Sequence, residues 1–544
     1  MCVLDGRPDT RRLAAALDLD PARPPDELIA EAYALIGDGL LKRLDGEFAF
    51  AAWHPGTGSG LVARDRLGTR SLFVAEHGAA LLFASEARTL LELLPRPPDP
   101  DPRAMEAWLA RAPIPDDRTL FDGIRRLAPA HALRLGGGRW QPFRHWAPRP
   151  PEALALSAAE AAAEVRAALA RASARALDGA ARPGVLLSGG LDSAVVAAAT
   201  VAEGARPVAY SGVFPDHPEA DESERIRRTR EHLGLEGVEL ALGGGSALEA
   251  AAEFMREWEL PSVSPNRFLW APLLRRAAAD GTDVMLDGEG GDELFGAARY
   301  LVADRLRAGR PLAAVRVARS LPGMGAEPRA AWVRRALALY GARGALPAPL
   351  HERLRRARAA ARGSAPPAPD PRWHWKSLSG PRWWAHLVHT LTQDAIGAAD
   401  QQRREAAMHG LDVRHPLRDP ELIDLVLALP PELAFDPHLD RPLVRRALAG
   451  DLPEATLRDS HKPFFNSLLD GALAGTDAPA LRALLRDPHP LLAARVRREV
   501  MSELLEPSRE GLRTPTWGID LWRLGTLELW LEHRYGSLGD GGPG

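Results

Sequence analysis

The chain has a single cysteine, Cys2, among its 544 residues. One thiol can build neither an internal disulfide framework nor a multi-cysteine metal site, and we expect a protein of a reducing compartment, the cytoplasm. Long hydrophobic runs are also absent, because no stretch of about 18 apolar residues occurs. The first residues, MCVLDGRPDTRR, lack the apolar centre of a signal peptide. These absences predict a protein that is neither exported nor membrane-bound.

The chain has almost no excess charge, since 69 basic and 72 acidic residues leave a formal net charge of −3. No global feature therefore points to a nucleic acid or an anionic membrane, and we expect neither as a partner. Lysine is scarce, because three of the basic residues are lysines, namely Lys42, Lys376 and Lys462. Each lysine is a candidate for a site that needs a compact point charge, which arginine does not supply.

The hydrophobic pattern divides the chain into two parts. The segment DELIAEAYALIGDGLLKRL predicts a helix, and residues 51–140 alternate short apolar runs with turn-rich pieces, as antiparallel strands do. A proline-rich stretch, WAPRPPEAL, follows and is typical of a linker. We therefore predict an α+β domain over residues 1–148 and a second domain over residues 155–544.

The second domain has the βαβ pattern of an open parallel sheet. The runs PGVLLSGG, RPVAYSGVF and DVMLDGEGG predict buried strands, and helical segments separate them. In such α/β sheets, ligands bind at the carboxyl ends of the strands, where loops lead into helices. Two glycine-rich motifs follow predicted strands directly, and the sequence therefore predicts a binding site there.

An arginine-rich helical insert is predicted over residues 299–362. It contains 15 arginines against Asp304, Glu327 and Glu352, a local excess of +12. A solvated helical face is one interpretation, and a docking surface for an acidic partner is the other.

The first motif is SGGLDS, from Ser188 to Ser193, between the apolar strand GVLL and a helix of small residues. Successive backbone N–H groups and the positive end of a helix bind anions, and the glycines let a phosphate approach the backbone. The lysine of the Walker pattern is missing. The motif resembles instead the PP-loop of ATP pyrophosphatases, which cleave ATP between the α and β phosphates.

The second motif, DGEGGDELFG, spans residues 287–296 and places four carboxylates within seven positions. Carboxylates beside a triphosphate require a cation between them, and Mg²⁺ favours one or two carboxylates together with phosphate oxygens. We predict Asp192 and Asp292 as the metal ligands. An EF-hand-like calcium loop is disfavoured because its D-x-[DN]-x-[DN]-G spacing is absent.

Both motifs, followed by GLDVRHPLRD and the lysine-containing SHKPFF, resemble the synthetase domain of the asparagine synthetase family in the same order. The resemblance implies ATP and Mg²⁺ as ligands, Lys462 facing the α-phosphate, and Glu289 orienting or deprotonating the amine. It also implies a nucleotide-binding set that comprises Ser188, Gly189, Gly190, Leu191, Asp192, Ser193, Gly212 and Gly288. In the third block, Arg414 and Asp419 match the family, whereas Asp412 replaces its usual glutamate.

The first domain resembles the later part of the family's Ntn glutaminase domain, over LDGEFAFAAW and LVARDRLGTRSLFVA. The best match to that domain's oxyanion turn begins immediately after Cys2, whereas the family has many tens of residues between the two. Cys2 therefore corresponds to an internal strand. We expect a truncated, degenerate glutaminase-like domain that is inactive.

These features predict an AMP-forming ligase that builds an amide bond through an acyl-adenylate. The resemblance is greatest to lasso peptide cyclases, which join the N-terminal amine of a precursor peptide to an Asp or Glu side chain. The partners implied are that peptide, a leader peptidase and a leader-binding protein. Alternatives are an ammonia-dependent asparagine synthetase, a small-molecule cyclase like β-lactam synthetase, a tRNA-modifying PP-loop enzyme and a non-catalytic scaffold.

Overall fold

The structure is a computed structural model and describes residues 1–112, 114, 117–322, 328–361, 375–393, 398–459, 465–506 and 516–536. The strands are β1 (Cys2–Asp9), β2 (Asp45–His54), β3 (Ser59–Arg64), β4 (Phe73–His77), β5 (Ala80–Ala84), β6 (Ile124–Arg126), β7 (His131–Gly136), β8 (Arg139–Arg144), β9 (Pro183–Leu186), β10 (Val208–Val213), β11 (Gly237–Ala241), β12 (Val284–Leu286) and β13 (Asp412–Arg414).

The first helices are α1 (Arg11–Leu17), α2 (Pro25–Ile36), α3 (Ala87–Leu93), α4 (Pro102–Leu109), α5 (Ala158–Leu177), α6 (Leu191–Ala202), α7 (Ser223–Leu233), α8 (Ala247–Trp258), α9 (Arg267–Ala279), α10 (Gly291–Phe295), α11 (Leu301–Arg307), α12 (Pro311–Ser320), α13 (Arg329–Ala336) and α14 (Ala348–Ala361). They are followed by α15 (Arg382–Gln393), α16 (Ala398–Ala407), α17 (Pro420–Ala428), α18 (Pro442–Ala447), α19 (Glu454–Arg458), α20 (Asn466–Ala474), α21 (Ala478–Leu484), α22 (Pro490–Ala493), α23 (Arg498–Leu505) and α24 (Trp517–Tyr535). Short 3₁₀-helices cover Gly37–Lys42, Pro416–Arg418 and Pro431–Ala434, and a π-helix covers Leu337–Arg343.

The N-terminal part consists of two antiparallel sheets, as its alternating apolar runs predict. One has the strand order β1-β2-β3-β7-β8 and the other the order β5-β4-β6. Side chains such as Val62, Leu72 and Leu133 form an apolar layer between them. The predicted helix is α2 with the 3₁₀-helix that follows it, and Ile29 and Ala32 of α2 pack against Phe48 and Phe50 of β2.

The second part is built on a parallel sheet with the strand order β11-β10-β9-β12-β13. The three strands predicted from the sequence are confirmed as β9, β10 and β12. The strand β13 was not predicted from the sequence. Gly410 has a φ of +76° just after α16 and reverses the chain. Asp412–Arg414 then forms the edge strand β13 beside β12, and three residues are too few to show a strand period.

The two parts share one hydrophobic core. Phe73, Trp108 and Phe121 of the N-terminal part pack with Trp522 and Trp530 of α24, and the rings of Phe121 and Trp530 meet edge to face at 5.2 Å. Neither α24 nor any other helix in the described ranges is long and apolar enough to cross a membrane.

The arginine-rich segment forms α11, α12, α13, the π-helix and α14. It has a small apolar core of its own, which contains Val302, Ala314 and Trp332. Asp304 of α11 accepts hydrogen bonds from the N–H groups of Arg382 (2.8 Å) and Trp383 (3.0 Å), at the start of α15. Because an acid at this position satisfies backbone donors that a helix start leaves unpaired, it ties the segment to α15.

Candidate functional site

The loop Ser188–Gly190 leads from β9 into α6 and is tied closed by Ser193. The Ser193 hydroxyl oxygen accepts a hydrogen bond from the Ser188 N–H (3.1 Å) and lies 3.3 Å from the carbonyl oxygen of Gly190. Gly190 is the N-cap residue of α6. The loop thus curves over the N-terminus of a 12-residue helix, where unpaired N–H groups and the helix dipole favour an anion.

The loop after β12 lies against the same helix start. A Cβ atom on Gly288 would lie 2.7 Å from the backbone nitrogen of Ser193, and one on Gly291 would clash with the Asp192 carboxylate. The two glycine-rich loops touch because β9 and β12 are neighbours in a parallel sheet, which places their carboxyl ends at one edge. The glycines are required because no side chain fits between the loops.

Asp192 and Asp292, the predicted metal ligands, are brought together and share one partner. The Arg441 guanidinium contacts the Asp192 carboxylate and lies 3.1 Å from that of Asp292. Two carboxylates that reach the same nitrogen atom are close enough to share a divalent cation. No group of three or more potential metal-ligating His, Cys, Asp or Glu side chains occurs within the described ranges. The pair therefore fits a Mg²⁺ ion that takes its remaining ligands from phosphate and water.

Glu289 lies beside a buried ion pair. Burial and the charge of Asp287 raise the pKa of Glu289 to about 7, against the opposing charges of His415 and Arg418. Asp287 lies 2.6 Å from His415 Nδ1 and accepts a hydrogen bond from the backbone N–H of Glu289 (3.1 Å). Burial lowers the pKa of His415, but the charge and hydrogen bond of Asp287 outweigh it and the pKa is raised. The pair holds the backbone of Glu289 and favours a charged imidazolium.

A cavity of about 450 Å³ connects these groups. Every predicted nucleotide-binding residue lines it, and so do Glu289 and Asp292. One wall is apolar and includes Leu186, Tyr210 and Leu242 around Gly212; a Cβ on Gly212 would lie 2.6 Å from Leu242. The cavity therefore offers an apolar slot at one side and a polar, glycine-rich face at the other.

Lys462 lies outside the described residues, and its predicted role stays a prediction. The described residues on either side of it in sequence, Asp459 and Phe465, both line the cavity.

The segment GLDVRHPLRD has a structural role. Arg414 donates to Asp412 (2.7 Å) and to the carbonyl oxygen of Asp178 (2.8 Å). Asp419 caps α17 and makes two hydrogen bonds with Arg175, at 2.7 and 2.8 Å. Asp412, Arg414 and Asp419 are not among the described residues that line the cavity. Their contacts hold β13 and α17 in place.

The charged cavity residues that were not predicted from the sequence include Arg441 and Glu222. Arg441 is 8% exposed and lies 249 residues from its partner Asp192. Glu222 accepts a hydrogen bond from the N–H of Gly189 (3.3 Å). No spacing rule singles out either residue, since arginine and glutamate are common in this chain; the left-handed φ of +51° at Arg441 is visible only in three dimensions.

Cys2 lies on β1, opposite Ala52 of β2. Burial, with a smaller contribution from Asp26, raises the pKa of its thiol to about 12. A thiol with such a pKa carries almost no thiolate at neutral pH.

Comparison with known proteins found a matching family model for each part of the chain. The family model of asparagine synthase matches residues 164–532, and a glutamine amidotransferase domain matches residues 23–146. A Mycobacterium tuberculosis protein named as a glutamine-hydrolyzing asparagine synthetase is 29% identical over 279 residues, which cover 50% of this chain and 42% of that protein. Asparagine synthetase 3 of Bacillus subtilis is 23% identical over 90% of this chain and 78% of its own length.

Two further matches carry the names of other enzymes. Amidase chry2 of Gibberella zeae is 28% identical over 52% of this chain and 44% of the amidase. The chain thus spans less than half of the mycobacterial and fungal relatives. Among solved structures, a B. subtilis glutamine phosphoribosylpyrophosphate amidotransferase matches with 13% sequence identity and a TM-score of 0.19. The match covers 57% of this chain and 59% of the amidotransferase chain.

Proposed function

Because the chain belongs to the asparagine synthase family, we propose that it is an AMP-forming ligase that uses ATP to join a carboxylate to an amine. The observation that carries the proposal is the meeting of two glycine-rich loops at one cavity, with Asp192 and Asp292 converging on one point. A pyrophosphate-binding loop without a Walker lysine fits cleavage between the α and β phosphates.

The proposed chemistry has two steps. A carboxylate oxygen of the substrate attacks the α-phosphorus, and the bond to the β-phosphate breaks as pyrophosphate leaves. The amine nitrogen then attacks the acyl carbon, AMP leaves, and the amine gives up a proton. The loop Ser188–Gly190 would hold the phosphates, Asp192 and Asp292 would hold Mg²⁺, which neutralises phosphate charge, and Lys462 would stabilise the charge that develops at the α-phosphate. Glu289, with a pKa of about 7, is suited to receive the amine proton.

We further propose that the amine belongs to the substrate and does not come from glutamine. The high pKa of Cys2 and its place in a paired strand both disfavour a thiolate nucleophile in the N-terminal domain. An enzyme that receives no ammonia from its own first domain needs an amine from elsewhere, such as the N-terminus of a peptide.

The substrate that we propose is a lasso precursor peptide, with a leader peptidase and a leader-binding protein as partners. A cavity of about 450 Å³ has the size of a small-molecule site, so that most of a peptide would lie outside it. The arginine-rich helices support such contacts. On α12, Leu312 is 79% exposed between Arg310 and Arg316, which are also exposed. A basic surface with exposed leucines suits an acidic, partly apolar peptide.

The decisive experiment combines the protein with ATP, Mg²⁺ and a leader-free core peptide that contains an Asp or Glu. We expect the peptide to lose one water while AMP and pyrophosphate accumulate. Lys462→Ala should reduce ATP–pyrophosphate exchange by at least about 100-fold, the scale of losing one electrostatic stabiliser of a transition state. The matched control is Lys42→Ala, which removes an exposed lysine and should leave exchange unchanged. ADP as the product, or exchange unaffected by Lys462→Ala, would contradict the proposal.

A second candidate is an ammonia-dependent asparagine synthetase. The names of the mycobacterial and B. subtilis relatives favour asparagine as the product, although they give glutamine as the nitrogen source. In that case pyrophosphate exchange would depend on aspartate, and asparagine would form from aspartate, ammonium and ATP. A small cyclase like β-lactam synthetase would instead require a small β-amino acid. The same exchange assay, with each carboxylate in turn, separates the three.

A further inference from the structure

A positively charged side chain lies between the two carboxylates that fit a metal ion. Arg441 Nη1 contacts Oδ1 of Asp192 and lies 3.1 Å from Oδ1 of Asp292. A third carboxylate, that of Asp440, lies 2.8 Å from the same guanidinium. A divalent cation that bridged these Oδ1 atoms would occupy the position of the guanidinium, so the two cannot be there together.

The backbone at Arg441, from which the side chain reaches this position, is conformationally constrained. Its φ is +51°, in the left-handed region, and Pro442 follows at the first position of α18. Arg445 donates from Nε to the carbonyl oxygen of Asp440 (2.7 Å) and fixes the preceding peptide. A non-glycine residue in this region is strained, and it persists only where the surroundings hold it.

The carboxylates around the Arg441 guanidinium explain why a positive charge is needed there. Carboxylates gathered at one point repel each other, which destabilises their charged forms. An arginine side chain stays protonated at any physiological pH, and the Arg441 guanidinium lies against Asp192, Asp292 and Asp440. Arg441 is therefore a permanent cation that neutralises the acidic cluster.

We propose that Arg441 is an internal counter-ion that keeps free divalent cations off the Asp192–Asp292 pair until nucleotide brings its own Mg²⁺. The phosphates supply the negative charge to which the displaced guanidinium can turn. Metal and nucleotide therefore bind together, and the metal does not bind first. This inference rests on the proposed function in that the nucleotide is ATP.

The test measures Mn²⁺ binding to the nucleotide-free protein by electron paramagnetic resonance. Arg441→Met keeps the length of the side chain and removes its charge. We expect it to bind one Mn²⁺ at least tenfold more tightly than the unchanged protein, and Arg441→Met with Asp292→Asn to lose that gain. Equal Mn²⁺ affinity in the unchanged protein and in Arg441→Met would overturn the proposal.

Thermal unfolding provides a second measurement on the same samples. A cation that binds only the folded state raises the melting temperature, so Mn²⁺ should stabilise Arg441→Met and not the unchanged protein. If Arg441→Met does not fold, Arg441→Gln carries the test, because glutamine also removes the positive charge. The same tighter binding of Mn²⁺ is expected, and an affinity equal to that of the unchanged protein would contradict the proposal.

The test of Arg441 and the test of the proposed function can fail independently. Pyrophosphate exchange by the unchanged protein, combined with equal Mn²⁺ binding in both proteins, refutes only the role of Arg441. Absence of exchange with every carboxylate tried, combined with the expected Mn²⁺ result, refutes only the ligase assignment.

Discussion

The Glu289 carboxyl group has a pKa of about 7, chiefly because it is buried and secondly because Asp287 is close. A base must be ionised to take a proton from the amine, so amide formation should rise about tenfold per pH unit below 7 and level off above it. Glu289→Gln should be at least about 100-fold slower and lack this dependence. Single-turnover rates between pH 5.5 and 8.5, measured after the adenylate has formed, test this expectation. An unchanged midpoint in Glu289→Gln would show that another group titrates.

His415 provides a control for that assignment. Its positive charge opposes the rise in the pKa of Glu289, so His415→Asn should move the midpoint of the rate profile to higher pH. A purely structural role of His415 would change the rate without moving the midpoint.

The raised pKa of Glu289 also affects the stability of the protein. The folded protein keeps a proton on Glu289 that the unfolded chain releases near its ordinary pKa of 4.5, so this carboxyl lowers the free energy of unfolding as pH rises from 4.5 to 7.

At the scale of elements, the site depends on two strand–loop–helix units that touch through glycine. A methyl group on Gly288 would lie 2.7 Å from the Ser193 nitrogen, a backbone atom that cannot move without α6. We expect Gly288→Ala to separate the loops and to weaken pyrophosphate exchange at least tenfold. Gly244→Ala is the matched control, because a methyl group there meets nothing within 4 Å. Similar exchange rates in the two variants would show that the loops need not touch.

At the scale of the whole molecule, the two parts of the chain should unfold together. Trp530 of α24 is completely buried and packs against Phe121 of the N-terminal part at 5.2 Å. Replacing a large buried aromatic side chain by alanine costs about 3–5 kcal/mol. Trp530→Ala should therefore lower the melting temperature of one common transition in calorimetry. Trp53→Ala, at a residue 39% exposed, should change it little. Two separate transitions in the unchanged protein would contradict a shared core.

The hydrophobic core that the two parts share limits how either part can be studied alone. The predicted boundaries at 1–148 and 155–544 separate the chain in sequence, and they remain a prediction. The packing of Phe73 and Trp108 with Trp522 crosses them. A fragment that begins at residue 155 would expose this apolar surface, and we expect such a fragment to aggregate.

The sequence by itself determined the parallel sheet, the two glycine-rich loops and the family. These features are local, because an apolar strand followed by glycines and a helix defines its own geometry. The two motifs also predicted Asp192 and Asp292 as a metal-binding pair, and both carboxylates reach Arg441. Strand β13 was not predicted, because its three residues carry no pattern and pairing with β12 alone makes them a strand.

Only the tertiary structure decided which charges face the site. Arg441 lies 249 residues from Asp192, and His415 lies 128 residues from Asp287. Such partners are selected by packing across the molecule, and no spacing along the chain marks them. The raised pKa of Glu289 has the same origin, because burial depends on every element that surrounds the residue. A local pattern therefore sufficed to predict the loops, whereas the charge state of the site required the fold.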